Sequence, residues 1–203
     1  IFSSEKILPA PVSFVDIAGI VRGASVGEGL GNQFLATIRE ADAIAQVVRG
    51  FTDGDVIHVD GKVDAASDIE TINTELILAD LQTLEKVRTR VEKEVKTKKT
   101  DPSVLDAIDE SLKVLNDGTP LSLSKVDLAP IKDLGLLTAK PILFVFNVDE
   151  GILTSPEKKA ALAKLVAPAE AVFLDAKVES ELIDLDPAEA NELLQSLGQD
   201  ESG

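Results

Sequence analysis

From Asp68 to Leu115 the apolar residues fall at helical spacing, interrupted once, at Thr100-Asp101-Pro102. Ile69, Ile72, Leu76 and Ala79 are separated by three and four residues, and Leu84, Val87, Val91 and Val95 resume the pattern. Proline disfavours helical geometry in the residue before it, so one long helix must stop there. A second, with Val104, Leu105, Ile108, Leu112 and Leu115 inward, runs to the stop Asn116-Asp117-Gly118. Two amphipathic helices joined by so short a turn pair antiparallel, as a coiled-coil-like hairpin.

On either side of the hairpin the period changes. Ala43 to Val48, Ile142 to Phe146 and Ala171 to Leu174 are short apolar runs that read as buried strands. Val12 to Asp16, behind two prolines, reads as a fourth. Helices are expected from Asn32, as cap, to about Glu40, near Leu128 to Leu134, from Pro156 to Val166, and from Pro187 to Leu197. Phe51 to Asp68 reads as loop. Strands alternating with helices indicate an α/β fold with a mostly parallel sheet flanked by helices. Residues 1–65 and 138–203 would form that unit, with 66–137 inserted as the helical hairpin.

A net charge of −16 argues against binding nucleic acid over the whole surface. The acidity is uneven. Between Glu85 and Lys99, Lys86, Arg88, Arg90, Lys93, Lys96, Lys98 and Lys99 face only Glu85, Glu92 and Glu94. Such a run is a solvated helix face or a basic tip for RNA or another partner, with Lys93, Lys96, Lys98 and Lys99 as its contacts. No apolar run is long enough to span a bilayer, there is no signal peptide, and no cysteine offers a disulfide framework. The expected location is the cytoplasm, as a monomer. The chain also lacks methionine, so Ile1 reads as an interior residue of a longer protein.

In open parallel sheets, ligands bind at the carboxyl ends of strands, where Asp16, Asn147 and Asp175 fall. An apolar strand ending in Asp16-Ile17-Ala18-Gly19 and opening into a run with glycines at 19, 23, 27, 29 and 31 resembles a P-loop nucleotidase site. There a carboxylate holds Mg2+ through water, and a side-chain-free amide meets the terminal phosphate. Ile20 stands where related enzymes place a water-orienting glutamine, and an alkyl group cannot bond that water. No catalytic residue is therefore assignable. Asn147-Val148-Asp149-Glu150 resembles the Asn-Lys-x-Asp motif that reads guanine. Val148 replaces the lysine and Glu150 the aspartate, so strong guanine selectivity is not expected. His58 is the single histidine, which makes a zinc site improbable. Arg22, Arg39 and Phe51 are either ligand contacts or ordinary surface and packing residues.

Together, Phe14 to Val21, Gly27 to Asn32, Asp68 to Leu76 and Asn147 to Glu150 resemble the YchF/Obg-like ATPase family along essentially the whole chain. The resemblance implies a P-loop nucleotidase of the translation-factor class that prefers ATP to GTP, needs Mg2+ and associates with ribosomes. By position it assigns Asp16, Ile17, Ala18 and Gly19 to phosphate and metal. Asn147, Val148 and Glu150 fall to the base, and Asp175, Ala176 and Lys177 to the last base-contacting loop, where Asp175 replaces a smaller residue. The family's phosphate loop and its β-rich TGS domain are not in this sequence. The expectation is thus the central part of a nucleotidase domain, inactive alone. The competing reading is a non-catalytic interaction module whose basic hairpin docks on ribosomal RNA or protein.

Overall fold

The computed structural model describes residues 11–17, 30–51 and 64–196. Helix α1 (Leu30–Glu40) leads into strand β1 (Ile44–Arg49), and then come the long helix α2 (Ala65–Lys96) and α3 (Pro102–Asn116). Three 3-10 segments, at Leu121–Leu123, Ala129–Leu134 (kinked at Ile131) and Leu137–Ala139, carry the chain back to β2 (Ile142–Asn147). Helices α4 (Glu150–Leu153) and α5 (Pro156–Val166), strand β3 (Glu170–Leu174), α6 (Ala176–Leu182) and α7 (Pro187–Ser196) follow. The described strands form one parallel sheet in the order β1-β2-β3. This is the expected α/β architecture with an inserted hairpin.

Side-chain caps set the helix boundaries. Asp64 Oδ1 accepts from the Ser67 amide at 3.2 Å and starts α2, four residues before the Asp68 expected from periodicity. Asp101 Oδ1 accepts from Ser103 N at 2.9 Å, and Pro102 occupies the first turn, where its missing N–H costs nothing. Leu30 and Gly31 are already inside α1, so Asn32 is an interior residue rather than its cap. Helices α4 and α6, unforeseen from the sequence, are short and begin on the aspartate caps Asp149 and Asp175.

Three apolar clusters order the molecule. The hairpin closes on itself around Leu84, Val91, Ile108, Leu115, Leu121 and Ile131. The sheet buries one face, where register sets Val48 beside Phe146 and Phe146 beside Phe173. The two phenyl rings stack at 5.2 Å. The opposite face carries the row Val47, Val145 and Val172, with Val47 69% exposed. A third cluster joins the units, as Leu35 and Ile38 of α1 meet Leu76 and Ala79 of α2 and Leu137 of the return link.

A buried polar clamp reinforces that junction. Asp80, fully buried on α2, accepts from Leu137 N at 2.9 Å and from Thr138 N and Oγ1 at 2.8 and 2.7 Å. Burial pushes its carboxyl above the usual value, against the pull of these hydrogen bonds and of nearby Arg39. Arg39 donates to Thr83 Oγ1 at 3.0 Å, and Lys140 Nζ donates to the carbonyls of Arg39 and Ala41. Helix α1 is therefore fastened to the hairpin by side chains as well as by apolar contact.

One expected strand is corrected. Residues 12–16 belong to no strand or helix, and Val12, Phe14 and Val15 are 75%, 86% and 63% exposed. Apolar character specifies burial, not a pairing partner. The described sheet pairs β1 only with β2 and gives 12–16 no ladder. Ile17 alone reaches an apolar cluster, the one that joins α1 and α2.

Candidate functional site

The carboxyl ends of the three strands lie side by side, because register pairs Arg49 with Asn147 and Asn147 with Leu174. Asn147 is the centre of that row. Its Oδ1 accepts from Ala176 N at 3.1 Å, so the side chain ties the end of β2 to the turn between β3 and α6. Its carbonyl accepts from Gly50 N at 2.7 Å, and Val148 N donates to Leu174 O at 2.9 Å. All three strand ends are thus laced through residues 147–148. A Cβ on Gly50 would stand 2.8 Å from Val148 Cγ1, so glycine lets the end of β1 lie close against Val148.

The neighbouring residues serve the backbone. Val148 is 1% exposed and packs in the sheet core beside Val48 and Phe146. Asp175 Oδ1 accepts from Lys177 N at 2.9 Å and Val178 N at 3.3 Å and so caps α6. That accounts for an aspartate here: its carboxylate satisfies amides that would otherwise lack partners. Glu150 is exposed in the first turn of α4, which Asp149 caps by accepting from Ile152 N at 3.0 Å. Ala176 and Lys177 are exposed at the start of α6. Lys158 Nζ closes this corner by donating to Gly151 O at 3.0 Å.

Arg49 was not singled out by the sequence. Its guanidinium lies over the Phe51 ring at 4.5 Å, and its Nε donates to Phe51 O at 3.2 Å. Phe51 is therefore a partner of Arg49 rather than part of the core. The signal that could have found the pair is the basic residue closing β1, one strand away from Asn147.

Asp16 is an exposed carboxylate immediately ahead of Ile17. No hydrogen bond or ion pair among the described residues links it to Asn147. Ala18, Gly19 and Ile20, with Arg22, His58 and most of the glycine-rich run, lie outside the described residues. A described cavity of about 580 Å³ lies elsewhere, between α2, the end of α3 and Leu165 of α5. No group of three or more histidine, cysteine, aspartate or glutamate side chains suited to a metal occurs among the described residues. That excludes an all-protein metal cage among them. It is compatible with Mg2+ held by one carboxylate, water and phosphate oxygens.

At the hairpin tip, three of the seven cations are neutralised. Arg88 Nε and Nη2 hold the Asp109 carboxylate at 2.6 and 3.2 Å, Arg90 lies 3.7 Å from Glu94, and Lys96 lies 2.8 Å from Glu92. Lys93, Lys98 and Lys99 are exposed without an ion-pair partner among the described residues.

No family model matches the chain. It is 44% identical to "Ribosome-binding ATPase YchF" of Bacillus subtilis over 98% of its length and 57% of that protein. The protein of the same name from Haemophilus influenzae is 43% identical over 100% of the chain and 58% of its own length. Among solved structures, "Structure of the Schizosaccharomyces pombe YchF GTPase" superposes with a TM-score of 0.70 at 29% identity, over 86% of this chain and 50% of that one. The chain therefore spans somewhat more than half the length of the curated relatives it matches. No described helix is long and apolar enough to cross a membrane. Identity at this level along the whole chain, with the shared fold, makes the chain similar to these YchF proteins over somewhat more than half of their length.

Proposed function

We propose that the carboxyl edge of the sheet is the base end of a nucleotide site, in a protein that binds and hydrolyses ATP in preference to GTP and associates with ribosomes. The observation that carries this reading is Asn147, whose side chain ties the end of β2 to the β3–α6 turn while Arg49 lies beside it. Such lacing preorganises the loops that must close around a base. The names of the bacterial relatives, which pair an ATPase with ribosome binding, support the choice of activity and partner. The acceptor that would select guanine is not at its usual place, since Glu150 carries one methylene more than aspartate.

Asp16 would hold Mg2+ through water, and the bound ion would neutralise charge on the phosphates. The backbone of 17–19 would meet the terminal phosphate, and Ala176 and Lys177 would border the base. With Ile20 unable to orient water, hydrolysis would be slow without a partner, and this chain by itself is expected to be inactive. Ribosome association implies a cytoplasmic protein, acting as a monomer.

Titration with fluorescent ATP and GTP analogues tests the reading. ATP should bind at least as tightly as GTP, and Asn147→Ala should weaken ATP about tenfold, equivalent to about 1.4 kcal/mol. Asp16→Ala should remove the dependence on Mg2+. Tighter binding of GTP would reject the ATP preference, and unchanged affinity in both variants would reject the site.

A further inference from the structure

We infer that the tip of the helical hairpin is a docking surface for the phosphate backbone of RNA, built from Lys86, Lys93, Lys98 and Lys99. The structure separates the charges of the tip into two stripes. On one, Arg88, Glu92, Lys96 and Asp109 neutralise each other in a continuous chain of ion pairs. On the other, Lys86, Arg90 and Lys93 recur one turn apart on the exposed side of α2 and lead to Lys98 and Lys99. The acids nearest this stripe are occupied or outnumbered. Glu94 accepts from Thr100 Oγ1 at 2.9 Å and lies 3.7 Å from Arg90, Asp101 at the turn accepts from Ser103 N at 2.9 Å, and Glu85 is outnumbered by the lysines. Lys86, Lys93, Lys98 and Lys99 have no ion-pair partner among the described residues.

The turn itself presents these lysines. Lys98 N donates to Val95 O at 3.0 Å and Lys99 N to Glu94 O at 2.9 Å, the two bonds that end a helix around a left-handed residue. That residue is Lys98, with φ of +56°, a position that glycine fills at lower steric cost. A lysine held there keeps a cation at the apex.

Chemistry favours RNA over a protein partner. Protein interfaces rest on buried aromatic, arginine or aliphatic anchors. No large apolar side chain is exposed between Leu78 and Leu123 among the described residues, and the hairpin holds no aromatic residue. Lacking rings for base stacking, the tip would read backbone, not sequence. From Lys86 to Lys93 the stripe rises about 10 Å, enough to meet about three successive phosphates of one strand. Residues 85–99 carry an excess of four positive charges in a chain of net −16, so the rest of the molecule is repelled by a polyanion while the tip is attracted. The protein would therefore approach RNA tip first.

This inference deepens the ribosome-associated half of the proposed function and rests on that reading only for the source of the RNA. The test compares this chain with Lys86→Gln/Lys93→Gln/Lys98→Gln/Lys99→Gln and with a charge-matched control, Lys125→Gln/Lys132→Gln/Lys159→Gln/Lys164→Gln. Binding to a short RNA duplex is followed over increasing salt, with melting curves to confirm folding and Lys98→Gly as a variant that keeps the turn. The tip variant should bind at least about tenfold more weakly, and its log–log salt slope should fall by about 3, while the control keeps both. Lys98→Gly should lose about one unit of slope. Equal losses in tip and control variants, or no loss in the tip variant, would overturn the inference. So would polyglutamate displacing the RNA at equal charge concentration, which would assign the tip to an acidic protein. Co-sedimentation with ribosomes separates the two readings. If the tip variant still co-sediments fully, the inference fails and the function stands. If the unaltered chain binds RNA through its tip but never co-sediments, the function fails and the inference stands.

Discussion

The hairpin and the sheet reach stability by different routes. The hairpin's core draws on α2, α3 and the return link alone, residues adjacent in sequence that close a cluster around Leu84 and Ile108, both with no exposed surface. The sheet's strands come from opposite ends of the chain and bury one face, leaving Val47 and Val172 exposed on the other. Parallel strands are ordinarily covered on both faces. Local contacts give the hairpin a self-sufficient core, whereas the sheet depends on distant segments meeting.

The largest expected effects separate the two cores. Phe146→Ala removes a fully buried ring stacked on Phe173 and should cost about 3–5 kcal/mol. Ile108→Ala should cost about 2–5 kcal/mol, since the side chain is fully buried in the cluster between the two helices. Hydrogen exchange should then show the first loosening β1–β3 and the second loosening α2 and α3. Equal loosening everywhere would mean one cooperative unit and would break the distinction.

The junction sharpens it. Asp80→Ala orphans two amides and a hydroxyl and should cost about 1–3 kcal/mol in urea unfolding at neutral pH. Its pH dependence has a definite sign. Burial holds the folded carboxyl above 3.8, so between 3.8 and the raised value the folded chain keeps a proton that the unfolded chain releases. This contribution falls as pH rises through that window and is level above it. Asp80→Asn, which does not titrate, should remove that fall.

The smallest effect lies at the apex. Lys98→Gly should raise stability by about 0.5–1 kcal/mol by relieving a left-handed lysine, read as a shift in the hairpin's melting midpoint. No gain would mean the turn holds no steric cost there.

The hairpin was legible because helical spacing and the Asp101-Pro102 break are local signals, and the structure keeps both. The three strands were legible as apolar runs. Residues 12–16 were misjudged because their composition shows hydrophobicity but not whether a neighbouring strand is there to pair. Asp175 drew attention as a possible ligand residue, and it caps a short helix, as Asp149 does, because an aspartate followed by helix formers sends either message. Val148 showed that a residue inside a binding motif can belong to the core. Arg49 was missed because register, invisible in the sequence, sets it beside Asn147.

The most direct measurement of a shared nucleotide site is paramagnetic broadening of backbone amides by Mn2+ supplied with ATP in place of Mg2+. The account predicts that resonances of 16–17, 147–150 and 175–177 broaden together and in proportion to bound nucleotide, while those of 93–99 at the tip stay sharp. Broadening confined to one of these strand ends, or centred on the hairpin, would contradict it.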